Sequence, residues 1–174
     1  MDQISKKIKM ISQKLKKLKN KFYHFGIDGY IVPKNDEYFS EFAEKDKLKD
    51  ITGFDGSFGL AVILRKKNFL FVDGRYTEQA KIQAGKEFEI LEIPKKLPYQ
   101  ILNLRLNLGF DPTVFTSRNL LYYFRNKVKL TPITKTIINS NISNDHSSRK
   151  FYSLNPKVVG ETVDSKIKRL IQIL

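Results

Sequence analysis

The sequence of 174 residues contains no cysteine and no tryptophan, and it has only two histidines, His24 and His146. Without cysteine the chain forms neither a disulfide framework nor a thiolate zinc site, and it has no thiol nucleophile. Two histidines are too few for a multi-histidine metal centre. No stretch approaches eighteen uninterrupted apolar residues, so the sequence predicts no transmembrane helix. These absences favour a reduced, cytoplasmic protein with few residues suited to catalysis.

Positive charge is in excess and is unevenly distributed. Lysine and arginine number 32 against 18 aspartate and glutamate residues, which gives a net charge of +14. Residues 1–25 hold eight lysines and one aspartate, and therefore supply half of this excess. Such a segment can attract nucleic acid or anionic lipid. A lysine-rich helix face in contact with water gives the same composition, and we favour that interpretation.

Residues 3–25 are predicted to form an amphipathic helix. Apolar residues recur at alternating steps of four and three, which places them on one stripe: Ile4, Ile8, Ile11, Leu15, Leu18, Phe22 and Phe25. The stripe could serve a coiled coil or lie on a membrane surface. Packing onto a sheet is the commonest fate of such a helix. Gly26 stands where a C′ glycine is expected to end it.

Strand and helix patterns alternate through residues 27–127. Strands are predicted over 27–33, 88–93 and 108–110, and a hairpin joins Leu60–Leu64 to 68–72 through Arg65-Lys66-Lys67. A loop over 36–49 is predicted to lead into a short helix, and further helices are predicted over 73–85, 97–106 and 117–127. The alternation predicts an α/β fold with a mixed sheet flanked by helices.

The polar stretch 139–150 predicts a break in the chain. We therefore divide the sequence into a domain over 1–138, a linker over 139–160 and the start of a second, truncated domain over 161–174. Thr162 could cap a helix through Ile173 with apolar residues on one side, namely Val163, Ile167, Leu170 and Ile171. An apolar face with nothing after it to cover it leads us to expect a fragment.

The loop Gly53-Phe54-Asp55-Gly56-Ser57-Phe58-Gly59 could cradle a phosphate with its backbone N–H groups. A strand follows it rather than a helix, and it lacks a Lys-Ser/Thr pair, so the phosphate-binding fingerprints do not fit. A tight turn is favoured, in which Phe54 and Phe58 pack while the glycines take positive φ. Ser57 lacks a Gly-x-Ser-x-Gly frame, so a serine nucleophile has no support.

Two aspartates follow predicted strands. Asp73 opens Asp73-Gly74-Arg75-Tyr76 at a strand-to-helix junction, a usual place for functional groups in α/β proteins. Asp73 could act as an acid or a metal ligand, but a helix cap with an ion pair to Arg75 is favoured. Asp111 with Pro112 is typical of a turn. The other acidic residues are scattered singly, so no catalytic metal site is predicted.

Together these motifs resemble the N-terminal domain of the Xaa-Pro aminopeptidases (aminopeptidase P), within the creatinase/prolidase group. The first motif is Val32-Pro33 followed by Asp36, Ser40 and Glu41, and the second is the glycine-rich loop with Gly53, Phe54, Gly56, Ser57 and Gly59. The third is Asp73-Gly74-Arg75-Tyr76 with Gln79-Ala80, and Gly109-Phe110-Asp111-Pro112 and Gly160-Glu161 follow in the family's order. Ordered motifs over residues 5–174 are more specific than any one alone. The chain departs from the pattern at Tyr38, where the family usually has His, and at Phe42, where it has Tyr.

The resemblance implies a mixed-sheet α/β domain with a ribonuclease-H-like layout that is not itself the peptidase. In the family two divalent cations, often manganese, are held by two Asp, one His and two Glu of a separate C-terminal domain. No residue of this chain matches one of those ligands, so we expect no cofactor here and no activity from the chain alone. The motif residues are assigned a structural or domain-interface role. The implied partner is the catalytic domain or chain of an aminopeptidase P, with a homo-oligomer as a possibility.

Two other interpretations stay open. A nucleic-acid-binding module would account for the charge, but the sequence lacks interleaved surface aromatics and any known RNA or DNA motif. A third interpretation is a stand-alone remnant or a regulatory subunit. It would differ from the aminopeptidase N-terminal domain only in pairing with a separate catalytic chain. No association with a membrane is expected.

Overall fold

The computed structural model describes residues 3–40, 46–134, 137–138 and 152–173. Contacts between Cα atoms divide the chain into two compact units, Met1–Asn141 and Ile142–Leu174. None of the described helices is both long and apolar enough to cross a membrane.

The first unit is built on one six-stranded sheet. Its strands are β1 Gly29–Pro33, β2 Leu60–Leu64, β3 Asn68–Asp73, β4 Glu89–Ile93, β5 Asn107–Phe110 and β6 Lys129–Pro132. They lie in the order β4-β3-β2-β1-β5-β6. The strand β2 pairs antiparallel with β1 and β3, whereas the other neighbouring pairs are parallel. The predicted mixed sheet and the predicted hairpin are therefore confirmed.

Helices cover both faces of the sheet. They are α1 Gln3–Lys21, α2 Lys47–Thr52, α3 Thr77–Ala84, α4 Pro98–Ile101 and α5 Ser117–Phe124. Alternate strand residues enter two buried clusters, with Tyr30 and Val32 on the face of α1, α2 and α3, and Ile31 on the face of α4 and α5. Because both faces are covered, the strands read as nearly continuous apolar runs.

The apolar stripe of α1 packs against the sheet, as its spacing predicts. Its residues Ile11, Leu15, Leu18 and Phe22 are all buried in the first cluster. The helix ends at Lys21, four residues earlier than predicted, because the chain then tightens into a turn in which Phe22 donates to the carbonyl of Lys19. Gly26 has a φ of +60° but belongs to that turn rather than to the helix end.

Three lysines of α1 hold the helix to the rest of the domain. Lys7, Lys14 and Lys21 are seven residues apart and so lie on the same side of the helix. Lys7 Nζ donates to the carbonyl of Gly53 at 3.1 Å, and Lys21 Nζ donates to that of Ile137 at 2.6 Å. Lys14 Nζ donates to the carbonyl of Asp50 at 3.2 Å and also pairs with the Asp50 carboxylate. Part of the basic segment is therefore structural rather than merely solvated.

Substituting Lys14→Met is expected to lower the free energy of unfolding by about 1 kcal/mol, because it removes a charge-assisted bond but keeps the apolar stem. The pair is partly shielded, with side-chain exposures of 31% for Lys14 and 24% for Asp50. Urea denaturation measures the change. The matched control is Lys16→Met, at an exposed position with no polar contact to the described residues. An equal loss in both variants would contradict a specific role for Lys14.

The structure differs from the local sequence predictions in several places. The helix predicted over 97–106 is only Pro98–Ile101, because Leu102 is extended and the Asn103 side chain accepts from the N–H of Arg105, which forms a turn. The strand β6 was not predicted, since its four residues at the sheet edge carry no buried apolar run. A short helix, α6 Pro156–Val159, lies within the predicted linker.

The second unit contains α6 and α7 Val163–Ile173. Thr162 caps α7 as predicted, since its Oγ1 accepts from the N–H of Ser165 at 3.3 Å. The apolar residues that were predicted to share one side of α7 are all exposed: Val163, Ile167, Leu170 and Ile171.

Candidate functional site

The motif loops of the first unit meet at one edge of the sheet. Five strands run in one direction, so β1, β3 and β5 end at the same edge, and the antiparallel strand β2 begins there. The loop 36–40 follows β1, the glycine-rich loop 53–59 precedes β2, and Asp73 and Asp111 end β3 and follow β5. We call this the carboxyl edge. Ligand sites of open α/β sheets lie at such edges.

Asp36 organises the loop after β1. Its Oδ1 accepts from the N–H of Tyr38 at 3.0 Å and from that of Ser40 at 2.8 Å. The backbone N–H of Asp36 in turn donates to the carbonyl of Ser40 at 3.3 Å. This turn presents Tyr38 and Phe39 to solvent, with 83% and 48% of their surfaces exposed. Glu41, the last member of this motif, lies outside the described residues.

The glycine-rich loop is anchored as predicted by Phe54, which is fully buried, whereas Phe58 is half-buried against the second cluster. The prediction that its glycines take positive φ holds only for Gly53, with a φ of +78°. Gly56 and Gly59 are needed for space instead. A Cβ on Gly56 would lie 2.3 Å from Phe54 Cζ, and one on Gly59 would lie 2.7 Å from a Leu48 methyl carbon.

Hydroxyl and ring contacts join the glycine-rich loop to the Asp73-Gly74-Arg75-Tyr76 motif. Ser57 Oγ lies 2.8 Å from the Tyr76 hydroxyl. The rings of Phe54 and Tyr76 meet edge to face, with centroids 5.9 Å apart. Ser57 is therefore a hydrogen-bonding partner of Tyr76.

Amide contacts join the same loop to α3. Gln79 and Gln83 each donate from Nε2 to Asp55 Oδ1 at 2.8 Å, and the N–H of Asp55 donates back to Gln83 at 3.1 Å. The hydrogen bond from Gln83 is the main reason that the pKa of Asp55 lies below its ordinary value. Sequence reasoning singled out Gln79 but missed Gln83, although residues four apart share a helix face.

Asp73 is a cap, as predicted. It accepts from the N–H of Arg75 at 2.9 Å and pairs with the Arg75 guanidinium at 2.8 Å. Hydrogen bonding to that side chain holds the pKa of Asp73 below its ordinary value. The guanidinium carbon also lies 5.1 Å from the centre of the Tyr76 ring. Gly74 and Tyr76 complete a short 3-10 helix that leads into α3.

Asp111 caps a second 3-10 helix, in which Pro112 takes the first position. Its Oδ1 accepts from the N–H of Thr113 at 3.0 Å, and its Oδ2 pairs with Lys47 Nζ at 2.9 Å. Burial opposes ionisation, but the bonds from Thr113 and Lys47 outweigh it and keep the pKa of Asp111 below its ordinary value. Burial, with the charge of Asp111, raises the pKa of Tyr30.

The Asp111 contact is expected to make stability fall on acidification. Because its pKa is depressed in the folded state, its contribution is present above about pH 4 and is lost as pH falls through the folded pKa. The melting temperature of Asp111→Asn is therefore expected to depend less on pH below about pH 4 than that of the wild type. Thermal unfolding from about pH 7 down to pH 2 measures this dependence. If the melting temperatures of the two proteins fell equally as the pH was lowered below about 4, the dependence could not be assigned to Asp111.

A cleft of about 300 Å³ opens at the carboxyl edge. Its walls come from the end of β1, the glycine-rich loop and α5, and they include Lys34, Phe39, Ser57, Phe115 and Tyr123. Lys34 is paired with Asp46, so the lining is chiefly aromatic and neutral. Pro33 of the first family motif and Ser57 and Gly59 of the glycine-rich loop therefore line the same cleft.

The carboxylates of this edge do not fit a two-metal centre. No three His, Asp or Glu side chains converge within the described residues. Asp36, Asp55, Asp73 and Asp111 each accept hydrogen bonds from neighbouring backbone or side-chain donors. The oxygens of these four carboxylates therefore stabilise the loops of the carboxyl edge through hydrogen bonds.

The comparisons with known proteins agree with the fold. The chain is 27% identical over 175 residues to a probable Xaa-Pro aminopeptidase P of Coprinopsis cinerea, covering 91% of this chain and 28% of that protein. It is 32% identical over 115 residues to one of Laccaria bicolor, covering 61% of this chain and 18% of that protein. The chain thus spans less than a third of these relatives.

Solved structures have the same fold at lower identity. The cytosolic X-prolyl aminopeptidase of Caenorhabditis elegans, described with a di-nuclear active site, superposes with a TM-score of 0.66 at 21% identity, over 94% of this chain and 31% of that one. The N-terminal domain of the cytoplasmic peptidase PepQ of Mycobacterium tuberculosis gives 0.55 at 22% identity, over 72% and 95%. The family model of the creatinase/prolidase N-terminal domain matches residues 14–139. With that match over most of its length, the chain belongs to the creatinase/prolidase N-terminal domain family.

Proposed function

We propose that this chain is the non-catalytic N-terminal domain of a metal-dependent Xaa-Pro aminopeptidase, which removes the residue that precedes proline at a peptide's N-terminus. In this proposal the domain limits access to a catalytic cleft on another domain or chain and takes part in oligomer assembly. The observation that carries the proposal is the convergence of the family motifs at the carboxyl edge. The proposal includes a cytoplasmic location, which is supported by the description of the C. elegans enzyme as cytosolic.

The pKa values of the carboxyl-edge aspartates support a non-catalytic role. A general acid or base works best with a pKa near the operating pH. The aspartates Asp55, Asp73 and Asp111 instead have pKa values held below their ordinary range by hydrogen bonds. Since no three His, Asp or Glu side chains converge within the described residues, this proposal assigns the two divalent cations of the family to the catalytic part.

The surface around Phe39 is the proposed contact with the catalytic part. Tyr38 and Phe39 are exposed, yet Asp36 fixes the backbone that carries them. Phe39 also lines the cleft. Aromatic side chains on a fixed loop bury large areas at little entropic cost, and they are typical anchors of protein interfaces.

A chimera tests the proposal. This chain replaces the matching segment of the C. elegans enzyme, and hydrolysis of an Xaa-Pro peptide is measured with manganese. The chain alone is expected to hydrolyse nothing, and the chimera is expected to be active where the segment-deleted enzyme is not. Turnover by the chain alone would contradict a non-catalytic role. A folded chimera no more active than the deletion would contradict the domain role.

The contact surface is tested within the same chimera. Replacing Tyr38 and Phe39 with alanine is expected to lower activity at least about fivefold, since hot-spot residues at interfaces carry most of the binding energy. The matched control replaces Tyr23 and Leu104, which are 87% and 66% exposed and lie at the opposite edge of the sheet. Equal losses in both variants would refute the assignment of the contact to the carboxyl edge.

A further inference from the structure

The opposite edge of the sheet carries a basic surface that the proposed function does not use. The strands β1, β3, β4, β5 and β6 begin there, and the β2–β3 turn lies among them. We call the basic residues of these loops the amino-edge row. All of them are exposed: Arg65, Lys66, Lys67, Lys86, Arg105, Arg125, Lys127 and Lys129.

Hydrogen bonds between the loops keep the amino-edge row continuous. Asn68 Nδ2 donates to the carbonyl of Glu87 at 2.8 Å, and an Arg65 guanidinium nitrogen donates to that of Ile27 at 3.0 Å. Farther along, Asn107 Nδ2 donates to the carbonyl of Gly26 at 2.8 Å. Adjacent strands lie about 4.8 Å apart, so the six strand ends form a line about 24 Å long.

Few carboxylates neutralise the amino-edge row. The three acidic residues of these loops have neighbours of their own: Asp28 accepts from the N–H of Asn107, Glu89 pairs with Lys67, and the charge of Glu87 acts on Lys19 of α1. Within the described part of the chain, no carboxylate lies within ion-pair distance of the four cations Lys66, Lys86, Arg105 and Lys129.

The carboxyl edge has the opposite arrangement. There most cations are held in ion pairs: Lys34 with Asp46, Lys47 with Asp111, Lys49 with Asp55, Arg75 with Asp73 and Lys95 with Glu92. The available positive charge of the sheet therefore concentrates at the amino edge. The lysines of α1 supply less available positive charge than their number indicates, since Lys7, Lys14 and Lys21 donate hydrogen bonds that hold the helix to the rest of the domain.

We propose that the amino-edge row binds the sugar-phosphate backbone of a single-stranded nucleic acid. A line of cations about 24 Å long matches a linear polyanion, whose phosphates follow one another along a single chain. Arginine and lysine are the usual phosphate contacts of nucleic-acid-binding proteins. Tyr23, in the turn before β1, is 87% exposed at the same edge and offers a ring for base stacking.

The full chain is titrated into a fluorescein-labelled (dT)20 strand and followed by fluorescence anisotropy between about 25 and 300 mM salt. Neutralising about four phosphates predicts a slope near −3 for log K against log salt, because single strands give about −0.7 per contact. The variant Lys66→Glu/Arg105→Glu/Lys129→Glu is expected to bind about tenfold or more weakly. The control Lys9→Glu/Lys96→Glu/Arg118→Glu makes the same net charge change at exposed sites outside the row.

Weak binding by the row variant and near-wild-type binding by the control support the proposal, provided that both variants melt as cooperatively as the wild type. Equal losses in the two variants would overturn it, since net charge alone would then explain the binding. Absence of binding at 25 mM salt would also overturn it. Stronger binding to vesicles of phosphatidylserine than to (dT)20 would overturn it in favour of a membrane surface.

Discussion

Replacing Phe54 with alanine is expected to lower the free energy of unfolding by about 3–5 kcal/mol, the usual cost of truncating a buried phenylalanine. The ring has no exposed surface, and it contacts the edge of the Tyr76 ring. Gly56 and Gly59 lie against it without side chains, so neither can fill the space that it leaves. The cavity therefore adds to the lost transfer free energy.

Urea denaturation of Phe54→Ala measures this loss, with Phe58→Ala as the matched control in the same loop. Because Phe58 is only half-buried, its truncation is expected to cost clearly less. A loss below about 1 kcal/mol for Phe54→Ala would contradict the role of the ring as the anchor of the glycine-rich loop. A loss for Phe58→Ala as large as that for Phe54→Ala would do the same.

Substituting Gly29→Ala is expected to cost about 3 kcal/mol, at the upper end for overpacking. A Cβ at this position would lie 2.7 Å from the carbonyl oxygen of Ile63 and 2.6 Å and 3.0 Å from methyl carbons of Leu64 and Leu108. The carbonyl belongs to β2, which pairs with β1, so it cannot move away without disturbing the ladder. Gly29 is thus required by the close approach of three central strands.

The control for this substitution is Gly74→Ala. The nearest atom to its added Cβ is Glu92 Oε1 at 3.2 Å, the end of a flexible side chain, so we expect a change within about 0.5 kcal/mol. Thermal unfolding of both variants separates the two cases. A well-tolerated Gly29→Ala, with Gly74→Ala equally tolerated, would show that the central strands can spread to admit a methyl group.

Local patterns predicted most of the elements. The stripe of α1, the β2–β3 hairpin and the caps at Asp73 and Thr162 are all confirmed. Each depends on residues within a few positions of one another, so period and capping chemistry suffice to find it. The family followed from motif order in the same way. Where local signals compete or are weak, as at Asn103 and in β6, the prediction was wrong or missing.

The sequence predicted residues of the candidate site but not their arrangement in space. The sequence contained Asp36, Ser57, Asp73 and Asp111 as separate motif residues, but nothing local indicates that their loops share one edge. That follows from the strand order and from the reversed direction of β2. The contacts of Ser57 with Tyr76 and of Asp55 with Gln83 join residues 19 and 28 positions apart, and they form only once that order is set.

By itself the sequence determined most of the elements, the family and the absence of thiol chemistry, because these depend on residue type and short-range spacing. Only the tertiary structure decided why Gly29 and Gly56 must be glycine, since the atoms that would meet a Cβ belong to folded neighbours. It also separated the lysines that hold α1 from the cations of the amino-edge row. Composition counts all positive charges alike, but the fold determines which of them are paired, because ion pairing depends on distances between residues far apart in the chain.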